Sequence, residues 1–242
     1  MAAIAILCAV SGGTGNLCSL VALTWSNRLN GNKTTWFVLS LHISDIITSI
    51  MYLPICAATY LLPTMMHGEI LCFTFPILIH GNTAVALLTI LAITINRYIR
   101  VCFAACYEAL YTAAKVNASI LLIWIIGYGS MIIPSLGFYG NIGRMNDNSA
   151  ACTIISDSRG HDPNLIFLIA SVLCPFVAII VCYTHMYVFV KKARPASFRS
   201  QVSDNSTASK TPREVHLTKT MSRIFLSYCM CYGPTTHSCH RF

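Results

Sequence analysis

Residues 72–98 read CFTFPILIHGNTAVALLTILAITINRY, an uncharged run over 72–95 that closes in Asn96, Arg97 and Tyr98. A helix rises 1.5 Å per residue, so this run is about 36 Å long, enough to cross a hydrocarbon core about 30 Å thick. Four more runs surround it, over residues 2–26, 36–62, 117–138 and 163–190; across all five, Lys, Arg and Glu are absent and Asp45 is the sole acid. Each reads as a membrane-spanning helix. A membrane barrel would instead alternate apolar and polar residues in segments of about ten. Composition agrees, since 55% of the 242 residues are hydrophobic, 10% are charged and the mean hydropathy is +0.65, leaving too few charges to clothe a water-soluble globule. The first run reads as a retained span and not a cleaved leader, because no basic stretch precedes it and it continues through Val21, Ala22 and Leu23.

A sixth run starts near Leu217 but carries Lys219 and Arg223, so only residues 224–234 are uncharged before the polar stretch 235–242. At about 17 Å that part is too short to span, and the expectation is a sixth helix cut short. Thirteen of the sixteen Lys and Arg fall in the first, third and fifth gaps or at the start of run six, whereas the second and fourth gaps hold Arg144 and Arg159 beside Glu69, Asp147, Asp157 and Asp162. The positive-inside rule therefore puts the odd gaps in the cytoplasm and the N-terminus outside. The net charge of +8 is then a topology signal and not a nucleic-acid footprint. The fifth gap, residues 191–216, is rich in Ser, Thr, Lys and Arg and reads as a flexible cytoplasmic loop open to phosphorylation. No internal repeat is visible, which argues against an inverted-repeat transporter.

Few residues carry chemistry. An ionised Asp45 at mid-helix costs about 2.5 to 3.5 kcal/mol on insertion scales, so it should face the bundle and have a partner. Asn16, beside Gly15 in the first run, is the candidate; the pair is either a structural polar contact or part of a hydrated network that holds a cation or switches. Asn96-Arg97-Tyr98 could be an arginine snorkelling at the boundary. However, Cys72 opens the same helix on the outside and Cys152 lies in the fourth gap, so both face an oxidising compartment where a disulfide can persist. Gly12-Gly13-Thr14-Gly15 has no strand before it and reads as helix packing. His237, Cys239 and His240 do not make a zinc site, and Cys102 and Cys106 read as free thiols. No hydrolase or metalloprotease motif occurs, and no metal, cofactor or nucleic acid is called for.

These features resemble the signature of rhodopsin-like G-protein-coupled receptors. The match rests on Gly15 and Asn16, on residues 41–45 (LHISD), on Cys72 placed 25 residues before Arg97, and on Trp124, Cys152, Pro175, Tyr183 and residues 231–234 (CYGP). Within that class, residues 92–98, 152–157 and 174–175 are similar to the invertebrate trapped-in-endoderm and Moody receptors, which are associated with cell migration and barrier-forming tissue. The melatonin receptors share the Asn-Arg-Tyr variant. The resemblance implies an all-α membrane helical bundle: five complete transmembrane helices and a truncated sixth of a seven-helix fold, over residues 1–234, with 191–216 as its third cytoplasmic loop and 235–242 outside the pattern.

It further implies a Cys72–Cys152 disulfide, a polar core at Asn16 and Asp45, and a coupling switch built from Asn96, Arg97, Tyr98, Tyr183 and Glu214. In the resting state Glu214 would pair with Arg97. Ile79 and Tyr232 would border the ligand. The implied partners are an extracellular ligand, a heterotrimeric G protein and the lipid bilayer, in the plasma membrane. Four departures stand out. Tyr232 replaces the usual Trp or Phe, Gly233 precedes Pro234, Ala86 replaces a sodium-binding serine, and Ile79 stands where amine receptors have aspartate. Without helix 7, the chain as written is expected not to signal alone, to be retained in the endoplasmic reticulum, and to associate with full-length receptor.

Overall fold

The computed structural model describes residues 2–25, 33–62, 68–144, 152–160 and 163–200. Five helical spans long and apolar enough to cross a membrane lie among them, as the apolar runs require. The first is α1 (Ala2–Trp25). The second begins as α2 (Thr34–Ile47), widens into a π-helical turn (Thr48–Tyr52) and ends as α3 (Leu53–Leu61). The third is the single helix α4 (Glu69–Cys102), followed at its inner end by the short α5 (Ala104–Leu110). The fourth combines α6 (Ala113–Gly129) with one further turn, α7 (Ile132–Ser135). The fifth runs from α8 (Pro163–Phe167) through a second π-helical turn (Leu168–Leu173) into α9 (Cys174–Ser200).

Both π-helical turns end two residues before a proline. Leu53 N–H reaches back five residues to Thr48 O ahead of Pro54, and Cys174 N–H reaches Ile169 O ahead of Pro175. A proline ring lacks the N–H and crowds the carbonyl four residues earlier, and a wider turn relieves that crowding while keeping backbone groups bonded. In lipid those bonds are obligatory. α9 departs from the sequence reading, because the helix continues through Ser200, ten residues into the stretch read as a flexible loop. Lys191, Lys192, Ala193 and Arg194 are good helix formers and extend it past the membrane. The rest of that loop, the sixth run with Tyr232, the tail 235–242 and Glu214 lie outside the described residues.

α4 is the axle. Fourteen of its residues are buried, whereas none of α1 is. α2, α6 and α9 all pack on it, and Ile179 and Met186 of α9 are fully buried. α6 comes closest: a Cβ built on Gly127 would stand 2.5 Å from Val85 Cγ2 and 3.1 Å from Gly81 O, so only glycine lets these two backbones approach.

Outside the spans, β1 (Asn141–Arg144) pairs antiparallel with β2 (Cys152–Ile155), with Asn141 opposite Ile155 and Arg144 opposite Cys152. This hairpin is an extramembrane element that the apolar runs do not announce. Gly140 enters it at φ +77°, with Pro163 so close that a Cβ would lie 2.3 Å from its Cγ. The hairpin lies over the outer end of α4, where Tyr52, Cys56, Phe75, Ile79 and Cys152 form one buried cluster. A second cluster, Phe37, Ile93 and Val116, closes the inner half.

Candidate functional site

The inner end of α4 gathers four of the residues singled out in the sequence, Asn96, Arg97, Tyr98 and, from α9, Tyr183. Asn96 is fully buried. Thr34 Oγ1 at the start of α2 donates to Asn96 Oδ1 at 2.6 Å, and Asn96 Nδ2 donates to the Tyr107 hydroxyl at 3.4 Å. Tyr107 is the buried residue of α5, stacked on Tyr111 with ring centres 5.2 Å apart, and it anchors α5 beneath the bundle. Burial first and the neighbouring Tyr107 second raise the pKa of Tyr111, while a hydrogen bond with Asn96 pulls it down. Thr34, Tyr107 and Tyr111 thus hold the Asn96 carboxamide through neutral hydrogen-bond partners.

Arg97 differs. Its Nε is buried without a hydrogen-bond partner among the described residues. Across the interface, Tyr183 of α9 bonds Thr94 and lies within electrostatic reach of Arg97. Tyr98 turns its ring edgewise to Phe103 at 5.7 Å and to His185 of α9 at 5.5 Å, and Cys102 Sγ lies 3.9 Å from His185 Nδ1. The structure therefore brings Arg97, Tyr98 and Tyr183 together where α4 and α9 meet, while Asn96 turns to α2 and α5, and one guanidinium nitrogen has no acceptor among the described residues. Such an arrangement can recognise a carbonyl or carboxylate that arrives from the cytoplasmic side.

Deeper in the bundle, a polar knot ties three spans. Asn82 Nδ2 donates to Ser44 O at 2.8 Å and to Thr48 Oγ1 at 2.6 Å, while Asn82 Oδ1 accepts from Ser44 Oγ at 3.1 Å and from the Tyr128 hydroxyl at 3.2 Å. Beside it Trp124 Nε1 donates to Ser40 Oγ at 2.9 Å and stacks on Tyr128. Sequence reasoning missed Asn82, Tyr128 and Tyr107. Asn82 was findable as the one amide inside run 72–95, whereas Tyr107 sits between runs and gives no periodic signal.

Asn16 and Asp45 do not form the expected pair. Asn16 Nδ2 donates to Gly12 O at 2.9 Å, which turns its Oδ1 to His42 Nδ1 at 2.7 Å. The amide so oriented can only accept from the ring, so His42 carries its proton on Nδ1. Asp45, one turn further along, makes no side-chain hydrogen bond among the described residues, its carbonyl accepting from Ser49 Oγ at 2.8 Å.

At the outer end Cys72 and Cys152 are joined as a disulfide, with their Cα atoms 5.1 Å apart. Ile79 is buried in the cluster beneath it. No group of three or more His, Cys, Asp or Glu able to hold a metal occurs among the described residues.

Residues 15–239 match the family 7 transmembrane receptor (rhodopsin family). The chain is similar to Protein trapped in endoderm-1 of Drosophila melanogaster, 31% identical over 240 residues that cover 92% of this chain and 61% of that protein. It is likewise similar to the G-protein coupled receptor moody of Drosophila pseudoobscura pseudoobscura, 31% identical over 205 residues, 85% of this chain and 30% of that one. Melatonin receptor type 1B-A of Danio rerio is 24% identical over 234 residues, 97% of this chain and 78% of the relative. The chain thus spans 61% and 30% of the length of the first two.

Proposed function

This chain belongs to the rhodopsin family of seven-transmembrane receptors, and on that premise we propose that it carries an extracellular signal across the plasma membrane to a heterotrimeric G protein. It is a multi-pass membrane protein of a receptor family, and we read it as a transducer and not a catalyst. The observation that supports this most is Arg97, its Nε buried without a partner among the described residues at the inner end of the central helix. An outer ligand would favour a state in which the inner ends of the helices part and expose Arg97 to the G protein. Glu214 would cap Arg97 in the resting state, and Tyr183 would steady it in the active one. Ile79 and Tyr232 border the ligand, and the absence of an acid at position 79 sets amine ligands aside. A role in cell migration or barrier formation extends the same reading.

The test is a G-protein activation assay on a receptor that contains this chain and a seventh helix. Arg97→Ala should abolish activation while leaving surface delivery intact, and Glu214→Ala should raise basal activity by less than about fivefold, the ceiling for a solvated ion pair. An Arg97→Ala receptor that signals at full strength would refute the assignment.

A further inference from the structure

A thiol and an imidazole face each other where the third and fifth spans meet at their inner ends. Cys102, the last residue of α4, places its Sγ 3.9 Å from Nδ1 of His185 on α9. Tyr98, one turn back on α4, lies edgewise to the same imidazole with ring centres 5.5 Å apart and steadies it there. Cys102 is a half-buried free thiol and His185 is exposed, so a small solute can reach both. At 3.9 Å the contact is longer than a firm hydrogen bond. An ion bound by both atoms would hold them at such a separation, because a metal–sulfur bond of about 2.3 Å and a metal–imidazole bond of about 2.0 Å that meet at a wide angle span roughly 4 Å.

The donors decide the ion. Because no group of three or more His, Cys, Asp or Glu able to hold a metal occurs among the described residues, zinc, which seeks four ligands, and the oxygen-seeking ions calcium and magnesium are poorly served. A thiolate and an imidazole are soft donors that suit cuprous copper, whose closed d shell is satisfied by two ligands nearly in line. We propose that Cys102 and His185 bind one Cu(I) ion from the cytoplasmic side. Binding releases the thiol proton to solvent and takes up His185 as the neutral imidazole, its remaining proton on Nε2. The copper stays Cu(I), and no electron moves. The rival is a disulfide between Cys102 and Cys182, which lies within electrostatic reach of it, but that bond needs an oxidant which a reducing cytoplasm does not supply. A bound ion would fasten α4 to α9 beside Arg97 and Tyr183 and oppose the parting of the inner ends; that effect rests on the receptor reading, whereas the binding does not.

Alkylation of the purified full chain, kept free of oxygen and titrated with Cu(I) buffered by bicinchoninate, tests it. Mass spectrometry follows Cys102 and, as a control four residues away, the exposed Cys106. Free copper at about ten times its dissociation constant should slow modification of Cys102 by iodoacetamide about tenfold, the factor by which mass action depletes the open thiol, and leave Cys106 unaffected. His185→Asn, which keeps a polar side chain but offers copper no imidazole, should abolish the protection, while an intact Cys72–Cys152 disulfide reports that the variant has folded. Cys182→Ser should retain it. Zinc ion at the same free concentration should protect Cys102 much less. X-ray absorption at the copper edge, which needs no variant, should show one sulfur and one nitrogen at bonding distance when one equivalent is bound. Equal protection of Cys106, protection that survives His185→Asn or is lost with Cys182→Ser, equal protection by zinc, or a shell of sulfur alone would each overturn the proposal.

Discussion

Asn82 shows how much one amide can do where water is absent. All of its polar capacity is spent inside the bundle, on Ser44, Thr48 and Tyr128. Asn82→Ala should therefore lower stability by about 1 to 2 kcal/mol, less than the sum of its bonds because Ser44 and Thr48 can fall back on their own helix carbonyls. A thermal unfolding series in detergent measures it, and a melting point equal to wild type would remove the knot from the account. Tyr107 offers a finer dissection. Tyr107→Phe loses the hydroxyl that Asn96 contacts but keeps the stack on Tyr111, and should cost under about 1 kcal/mol. Tyr107→Ala loses both, so backbone amides over residues 104–110 should exchange with deuterium far faster in that variant alone.

Among elements, the contact of α4 with α6 is the least forgiving. Gly127→Val would drive its side chain into Val85 and the Gly81 backbone, an overpacking cost of about 1 to 3 kcal/mol. Gly129→Ala, two residues on, meets nothing within 4 Å and should be neutral. Surface expression of the two variants separates these outcomes, and equal yields would mean that the helices can move apart freely. The helices themselves were legible because lipid demands long uncharged runs. Their internal irregularities were half legible: Pro54 and Pro175 mark where a helix must adapt, but whether it kinks or widens into a π-helical turn is decided by neighbours such as Gly12, on which a Cβ would stand 3.0 Å from Oγ of Ser49 in the first of the two turns. The hairpin escaped notice because β1 and β2 are four residues each and carry no membrane signal.

For the whole molecule, the sequence named the cysteines of the outer disulfide and singled out Asn96, Arg97 and Tyr98, which the fold places at the inner end of α4. It could not show that His42, and not Asp45, answers Asn16, because side chains one turn apart are separated by rotamer and not by spacing. Removing the disulfide tests how far the outer cluster depends on it. Cys152→Ser should destabilise the fold by about 2 to 5 kcal/mol and reduce delivery to the surface; normal delivery would show that the hairpin holds its place by packing alone.

The same bond sets a clock on biosynthesis. Its two cysteines are 80 residues apart, and at roughly 5 to 20 residues per second the ribosome needs about 4 to 16 s to supply the second after the first. During that interval the Cys72 thiol waits in an oxidising lumen while the fourth span is still being threaded into the bilayer. Any partner it takes prematurely must be released before Cys152 arrives, so maturation of this chain depends on the pace of translation and on the thiol-exchange enzymes that meet it on the way.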